Sequence, residues 1–178
     1  MELAAGESQP GANGVVVLPF YNGERTPNLP NGKGCIMGLD VGNMSRANII
    51  RASMEAAVFG LRTGLDAFGR VNCDIADIRL TGGGAKSRHW RQIIADAFGL
   101  PVRTLELDEG AALGAALNAM LTHQGAGGDS AASTALLDEH IRFDAAAGAE
   151  PDPANAAIYR DAYQRYLEHV ALVSPLFK

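Results

Sequence analysis

The spacing of apolar residues along the chain predicts four short strands. Residues 15–18 form a continuous apolar run before a proline, and residues 35–39 form a second apolar segment. Residues 77–81 and 102–107 alternate apolar and polar side chains, as half-buried strands do. These four segments are therefore predicted to be the strands of the fold.

Helical spacing of apolar residues follows the second, third and fourth strands. Ser45 is predicted to cap a long helix whose buried face is Ile50, Met54, Val58, Leu61, Leu65 and Phe68. Arg51 and Glu55, four positions apart on that helix, are interpreted as a surface ion pair. Further helices are predicted over residues 87–98, residues 111–121, a short stretch near 134–140, and a final helix with an apolar stripe of Tyr159, Tyr163, Tyr166, Leu167 and Val170.

Start and stop signals support these helices. Gly99 lies where the helix over 87–98 should end, and Asp152 and Pro153 occupy the capping and first positions of the last helix. The alternation of strands and helices predicts an α/β fold with parallel crossovers. Residues 1–14 are predicted to be a flexible lead-in, residues 15–178 a single lobe, and residues 124–152 a surface excursion of that lobe.

Composition and charge exclude several classes of function. The chain has 178 residues, of which 47% are hydrophobic and 6% aromatic, and this suits one core-forming domain. Its formal net charge is −5 and it has no basic cluster, so nucleic acid and anionic membranes are not expected partners. Cys35 and Cys73 lack metal-ligand spacing, no metal site is predicted, and no apolar run is long enough to span a bilayer. We expect a cytoplasmic protein with reduced thiols and no signal peptide.

The candidate chemistry lies in a glycine-rich turn after the third strand. Gly82, Gly83 and Gly84 follow Thr81 and precede the helix over 87–98. Such a turn allows positive φ and lets backbone N–H groups and a helix N-terminus approach a phosphate. A glycine turn with no ligand is the plainer interpretation. Residues 108–110 open the next helix at the same expected edge of the sheet, where a capping role for Asp108 and Glu109 is the simplest explanation.

Two common phosphate-binding patterns do not fit this turn. A Walker A loop requires glycine before its lysine, and Ala85 precedes Lys86 here. The dinucleotide fingerprint fails because Lys86 and Ser87 occupy the place of its last glycine. Glu106 lies about where a ribose-binding acid would be expected, so a nicotinamide cofactor stays an alternative.

Several motifs in matching order closely resemble the FGGY carbohydrate kinases. The resemblance covers roughly residues 15–124 and, more loosely, the tyrosine-rich tail. Its motifs are Gly23-Glu24-Arg25-Thr26-Pro27, the segments 34–39 and 48–55, Thr81-Gly82-Gly83-Gly84-Ala85-Lys86-Ser87 with Trp90-Arg91-Gln92-Ile93, and residues 109–116. Within the family, these motifs are most similar to those of kinases that act on the ketopentose D-xylulose.

The resemblance implies a ribonuclease-H-like lobe of the actin-like ATPase fold, truncated on its N-terminal side. It implies that this chain is the C-terminal lobe of a sugar kinase that converts D-xylulose to D-xylulose 5-phosphate with ATP and Mg²⁺. The missing N-terminal lobe would be its partner and would supply the catalytic aspartate and most sugar contacts. No catalytic residue is therefore assigned in this chain, which alone is expected to be inactive.

The resemblance also implies roles for individual residues. Gly82, Gly83 and Gly84 would lie against the α-phosphate and ribose, and Ala85, Ser87 and Arg88 beside the adenine. Glu24, Arg25 and Thr26 would support the surface between the lobes, with a purely structural pairing of Glu24 and Arg25 as the alternative. A second class of function remains open, a non-catalytic nucleotide-binding or dimerisation module derived from a kinase lobe, and with it a homodimer.

Overall fold

The first pair of strands forms an antiparallel unit. The computed structural model describes residues 5–69, 75–107, 110–125 and 130–178, the side chains of 67–69 excepted. Strand β1 (Val16–Leu18) is buried throughout and pairs with β2 (Cys35–Met37), with Val17 opposite Ile36. Both strands are predicted by the sequence, but they are antiparallel, so the parallel crossover does not apply to them.

The second pair of strands has the predicted parallel connection. Strand β3 (Ile78–Leu80) pairs with β4 (Val102–Thr104), and Arg79 lies opposite Arg103. The crossover between them carries the second helix, which ends at Gly99 with a left-handed φ of 67°. The sequence thus predicts this strand–helix–strand unit correctly, including its C-terminal glycine cap.

The long helix α1 (Arg46–Gly69) supplies one wall of the core. The backbone N–H of Asn48 donates to Ser45 Oγ over 3.2 Å, which confirms the predicted cap.

Met54 and Val58 of α1 are buried as expected, whereas Leu61 is 64% exposed. The predicted buried face is therefore wrong at Leu61. The buried face of α1 includes Ala52, Ala56 and Phe59 instead, which the predicted stripe leaves out. The side chain of Phe68, like Cys73, lies outside the described residues; Cys35 is free and half-buried.

Arg51 and Glu55 do not form the predicted surface pair. They are only 8% and 2% exposed, and their salt bridge of 2.9 Å is enclosed by other segments of the chain. Arg51 donates to the carbonyl oxygen of Ser8 over 3.0 Å, and the N–H of Gly11 donates to Glu55 over 2.9 Å. The prediction was wrong because the segment before β1 covers this face of α1.

That covering segment also differs from the predicted flexible lead-in. Among residues 5–14, Ala5 and Ala12 are fully buried, and Ser8 Oγ donates to Asn48 over 2.7 Å. The polar side chains that suggested a frayed terminus are instead the partners that attach this segment to α1. Its ordering follows from hydrogen bonds to distant residues, which sequence patterning does not detect.

Residues 110–178 complete the fold with helices α3 (Gly110–His123), α4 (Ser130–His140) and α5 (Ala156–Val173). The helix over 88–98 is α2 (Arg88–Phe98). Part of the segment 124–152, predicted to be a surface excursion, pairs with the end of the second sheet. Ala149 forms an antiparallel bridge with Val102, and Phe143 forms one with Leu105. The tyrosines of α5 pack around Phe59, with ring centroids 5.6–6.4 Å away.

The start of α5 matches the sequence signals. Asp152 accepts a hydrogen bond from Ala154 N over 2.9 Å, and a single 3₁₀ turn with Pro153 precedes the helix. The buried carboxylate of Asp96 on α2 accepts from Asp152 N and from Asn155 Nδ2, over 2.7 and 2.8 Å. Asp96 thereby joins α2 to the start of α5. None of the described helices is both long and apolar enough to cross a membrane.

Candidate functional site

The glycine-rich turn connects β3 to α2, as the sequence predicts. After Leu80 the chain passes through Gly82 and a four-residue 3₁₀ turn, Gly83–Lys86, before α2 starts. Ser87 caps α2 by accepting a hydrogen bond from Trp90 N over 3.1 Å. The turn therefore lies at the carboxyl end of a parallel strand and at the N-terminus of a helix, the position where open α/β sheets bind ligands.

Gly82 and Gly83 differ in what they require of the backbone. Gly82 has a φ of +82°, which strongly favours glycine, whereas Gly83 lies in the 3₁₀ turn and is not among the residues with positive φ. A Cβ atom added to either residue would meet nothing in the described structure within 4 Å. No described residue therefore covers either glycine, as a phosphate-binding turn requires.

The opposite side of the turn rests on α2. A Cβ atom at Gly84 would lie 3.8 Å from the Trp90 ring. Arg91 Nη1 donates a hydrogen bond of 2.6 Å to the carbonyl oxygen of Ala85. Sequence reasoning gave Arg91 no role, although the residue belongs to one of the motifs; its only signal was a cation one turn into the helix after the glycines.

The start of α3 lies beside the same turn. A Cβ atom at Gly110 would lie 2.9 Å from Thr81 Cγ2, so glycine at this position allows the helix to approach the end of β3. This contact places the start of α3 beside the end of β3, at the edge of the sheet where both candidate ligand loops are expected. Asp108 and Glu109 lie outside the described residues, and their capping role stays a prediction.

The remaining predicted site residues form a separate loop. Glu24 Oε1 accepts hydrogen bonds from the backbone N–H groups of Arg25 and Thr26, over 2.7 and 3.3 Å. This loop borders an open groove of about 280 Å³ that α1 and Tyr166 also line. Burial, with a smaller contribution from Glu24, raises the pKa of Tyr166 to about 12. The Glu24 carboxylate thus organises its own loop, whereas the glycine turn rests on Trp90 through Gly84.

Within the described ranges, no group of three or more histidine, cysteine, aspartate or glutamate side chains is arranged to hold a metal ion. Arg88 is exposed at the first position of α2, beside Ser87. What the site offers chemically is a backbone turn, a helix N-terminus and nearby cationic side chains, a set suited to binding an anion.

Comparison with known proteins identifies the family. The C-terminal domain model of the FGGY family of carbohydrate kinases matches residues 1–123. The chain belongs to this family. FGGY membership agrees with the resemblance of the glycine turn and the neighbouring motifs to the same kinases.

Individual FGGY relatives extend the comparison over most of the chain. The xylulose kinase of Haemophilus influenzae is 46% identical over 161 residues, 90% of this chain and 32% of that protein. The crystal structure of xylulose kinase from Rhodospirillum rubrum covers 99% of this chain and 34% of its own, with a TM-score of 0.82 and 29% identity. The chain thus spans about a third of the length of these relatives.

A third comparison concerns the fold alone. The gluconate kinase of Lactobacillus acidophilus has a TM-score of 0.84 and 24% identity over 98% of this chain, which is 34% of that structure. The α/β chain therefore has the fold of a C-terminal part of FGGY sugar kinases, which are actin-like ATPases. Kinases named for different sugars share this fold equally well, so the fold does not identify the sugar.

Proposed function

We propose that this chain is the nucleotide-binding C-terminal lobe of an ATP-dependent sugar kinase that phosphorylates D-xylulose. The observation that carries the proposal is the open glycine turn between β3 and α2, with the start of α3 packed against Thr81 beside it. Family membership gives this turn a chemical context, because members are carbohydrate kinases.

The backbone of the turn suits the phosphates and ribose of a nucleotide. In the proposal, Gly82, Gly83 and Gly84 lie against the α-phosphate and ribose, because side chains there would fill the space that the ligand needs. Ala85, Ser87 and Arg88 lie beside the adenine. When bound, ATP would supply the phosphoryl group, and Mg²⁺ would offset the negative charge of the phosphate oxygens.

The rest of the kinase completes the site in this proposal. The described residues contain no metal-binding cluster, so Mg²⁺ would be held mainly by the nucleotide and by residues elsewhere in the enzyme. A catalytic aspartate from the other lobe would take the sugar hydroxyl proton, and closure of the lobes would exclude water. Glu24, Arg25 and Thr26 are proposed to support the surface between the lobes, on a loop that the Glu24 carboxylate organises.

D-xylulose is the proposed substrate because of sequence similarity. The Haemophilus influenzae relative, 46% identical over 90% of this chain, is a xylulose kinase. Most sugar contacts are expected outside this chain, so the present site is assigned to the nucleotide rather than to the ketopentose.

A hybrid enzyme tests the proposal. This chain would replace the matching third of the Haemophilus influenzae xylulose kinase, and ADP release would be measured with ATP, Mg²⁺ and D-xylulose. We expect sugar-dependent turnover of at least about 1 s⁻¹, the low end of kinase rates. The parent kinase is the positive control, and the hybrid with Gly83→Val is the matched negative control.

The hybrid distinguishes an active lobe from a non-catalytic module. A folded hybrid that binds D-xylulose but neither binds ATP nor releases ADP would contradict the proposal. Full turnover in the Gly83→Val hybrid would also contradict it, because the glycine turn would then not contact the nucleotide.

A further inference from the structure

We propose that Arg91 is a positioning residue that fixes the glycine turn in its nucleotide-binding conformation. This inference rests on the proposed function, because it concerns the same turn. It assigns a role to a side chain on α2 that does not itself belong to the turn.

The first argument is the hydrogen bond between Arg91 and the turn. Arg91 Nη1 donates to Ala85 O over 2.6 Å, a short distance typical of a hydrogen bond from a charged donor. Ala85 N in turn donates to Gly82 O over 3.0 Å. The guanidinium is therefore connected through Ala85 to the residue with positive φ at the start of the turn.

The second argument is the local packing. Trp90 lies under Gly84, and Ser87 both caps α2 and donates its backbone N–H to Gly84 O over 3.2 Å. These contacts fix the C-terminal part of the turn on the helix. Arg91 adds a side-chain hydrogen bond to the carbonyl oxygen of Ala85, in the middle of the turn. The turn is therefore fixed on α2, and no described residue covers Gly82 or Gly83.

The third argument is the state of the Arg91 guanidinium itself. Its Nε atom is buried and has no hydrogen-bond partner within the part of the chain that the structure describes. A buried donor without a partner is unfavourable for stability, so such groups call for an explanation other than stability. In this proposal the explanation is the place of the guanidinium, which the hydrogen bond from Nη1 to Ala85 O holds against the turn.

The test measures nucleotide binding and stability in the same set of proteins. Wild type, Arg91→Met, Arg91→Lys and the control Arg160→Met would be titrated with ADP and Mg²⁺ by calorimetry. Arg160 is an exposed arginine on α5, with a side chain 73% accessible. Urea unfolding of each protein would show whether a loss of binding follows a loss of structure.

We expect Arg91→Met to weaken ADP binding by about tenfold, because it removes the charged hydrogen bond to Ala85 O that favours the binding conformation of the turn, and such a bond is worth at least that factor in a conformational equilibrium. Arg91→Lys should recover part of the loss, because lysine keeps the charge but not the planar fork. Arg160→Met should bind as wild type does. In the hybrid kinase, Arg91→Met should raise KM for ATP and leave KM for D-xylulose unchanged.

The outcomes separate this inference from the proposed function. If wild type does not bind ADP, the proposed function fails. If wild type binds ADP and both Arg91 variants bind it equally well, the positioning role is overturned while the proposed function stands. Equal rises in KM for ATP and D-xylulose would also overturn it, because they would indicate a general loss of structure. Should Arg91→Met fail to fold, the Arg91→Lys comparison decides.

Discussion

Tyr159 on α5 donates a hydrogen bond of 3.1 Å to Glu55 on α1, although 104 positions separate them in the sequence. Arg51 Nη2 donates to the same tyrosine hydroxyl over 2.8 Å. Burial raises the pKa of the Glu55 carboxyl, and the Arg51 guanidinium opposes that shift. The network joins α1, α5 and the segment before β1, so its members support one another.

Removing the cation of this network should destabilise the fold strongly. Arg51→Met leaves the buried Glu55 without its counter-charge, a change that typically costs about 3–5 kcal/mol. We expect the free energy of unfolding in urea to fall by that amount. The exposed control Arg160→Met should change it by less than about 0.5 kcal/mol. Equal effects of the two substitutions would show that the buried pair contributes nothing particular to stability.

Stability should fall at alkaline pH because of Tyr166. Burial raises its pKa to about 12 from an ordinary value of 10.0, so the folded protein keeps a proton that the unfolded chain loses. The stabilisation is present below pH about 10 and is lost as the pH rises through about 12. We expect the free energy of unfolding to decline over that range, and Tyr166→Phe to reduce the decline. An unchanged pH profile in Tyr166→Phe would contradict this assignment.

Gly82 and Gly83 should respond differently to substitution. Gly82→Ala places a side chain at a φ of +82° and should destabilise the fold by about 1–2 kcal/mol. Gly83→Val meets no described atom within 4 Å, so it should change stability little while weakening ADP binding by about tenfold. Urea unfolding and calorimetry of both variants check the contrast. If Gly83→Val bound ADP as wild type does, the open side of the turn would not be the ligand side.

The isolated chain should not phosphorylate D-xylulose. A positioned general base contributes about 10²–10⁴ in rate, and the proposal places that base in the other lobe. A coupled ADP-release assay with ATP, Mg²⁺ and D-xylulose should therefore show no sugar-dependent turnover. Turnover near about 1 s⁻¹ would mean that the chemistry resides in this chain.

Local signals predicted the backbone structure around the glycine turn well. Residues 78–99, a stretch of 22, contain β3, the glycines, the Ser87 cap and the glycine that ends α2. Each of these features depends on the conformation of its own backbone or on a residue close to it in the sequence. The cap at Asp152 was predictable for the same reason. Such features need no knowledge of what packs against them.

Features that depend on distant residues were not predictable in this way. An Arg–Glu pair four positions apart looks the same in the sequence whether it is exposed or buried. Arg51 and Glu55 are buried because Tyr159 and the segment over 5–14, distant in sequence, contact them. That segment looked flexible because it has no large apolar side chains among residues 5–14, and it is attached to α1 by hydrogen bonds such as that from Ser8 to Asn48. Arg91 was missed because its role depends on where its side chain meets the turn.

Nuclear magnetic resonance of the isotopically labelled chain, titrated with ADP and Mg²⁺, tests the central claim most directly. The claim is that the glycine turn contacts the nucleotide, so the backbone amide signals of residues 82–88 should shift in a saturable manner. Gly11 and Gly38, which lie in the segment before β1 and just after β2, serve as internal controls and should keep their positions. Saturable shifts confined to other residues, or no shifts at millimolar ADP, would contradict the claim.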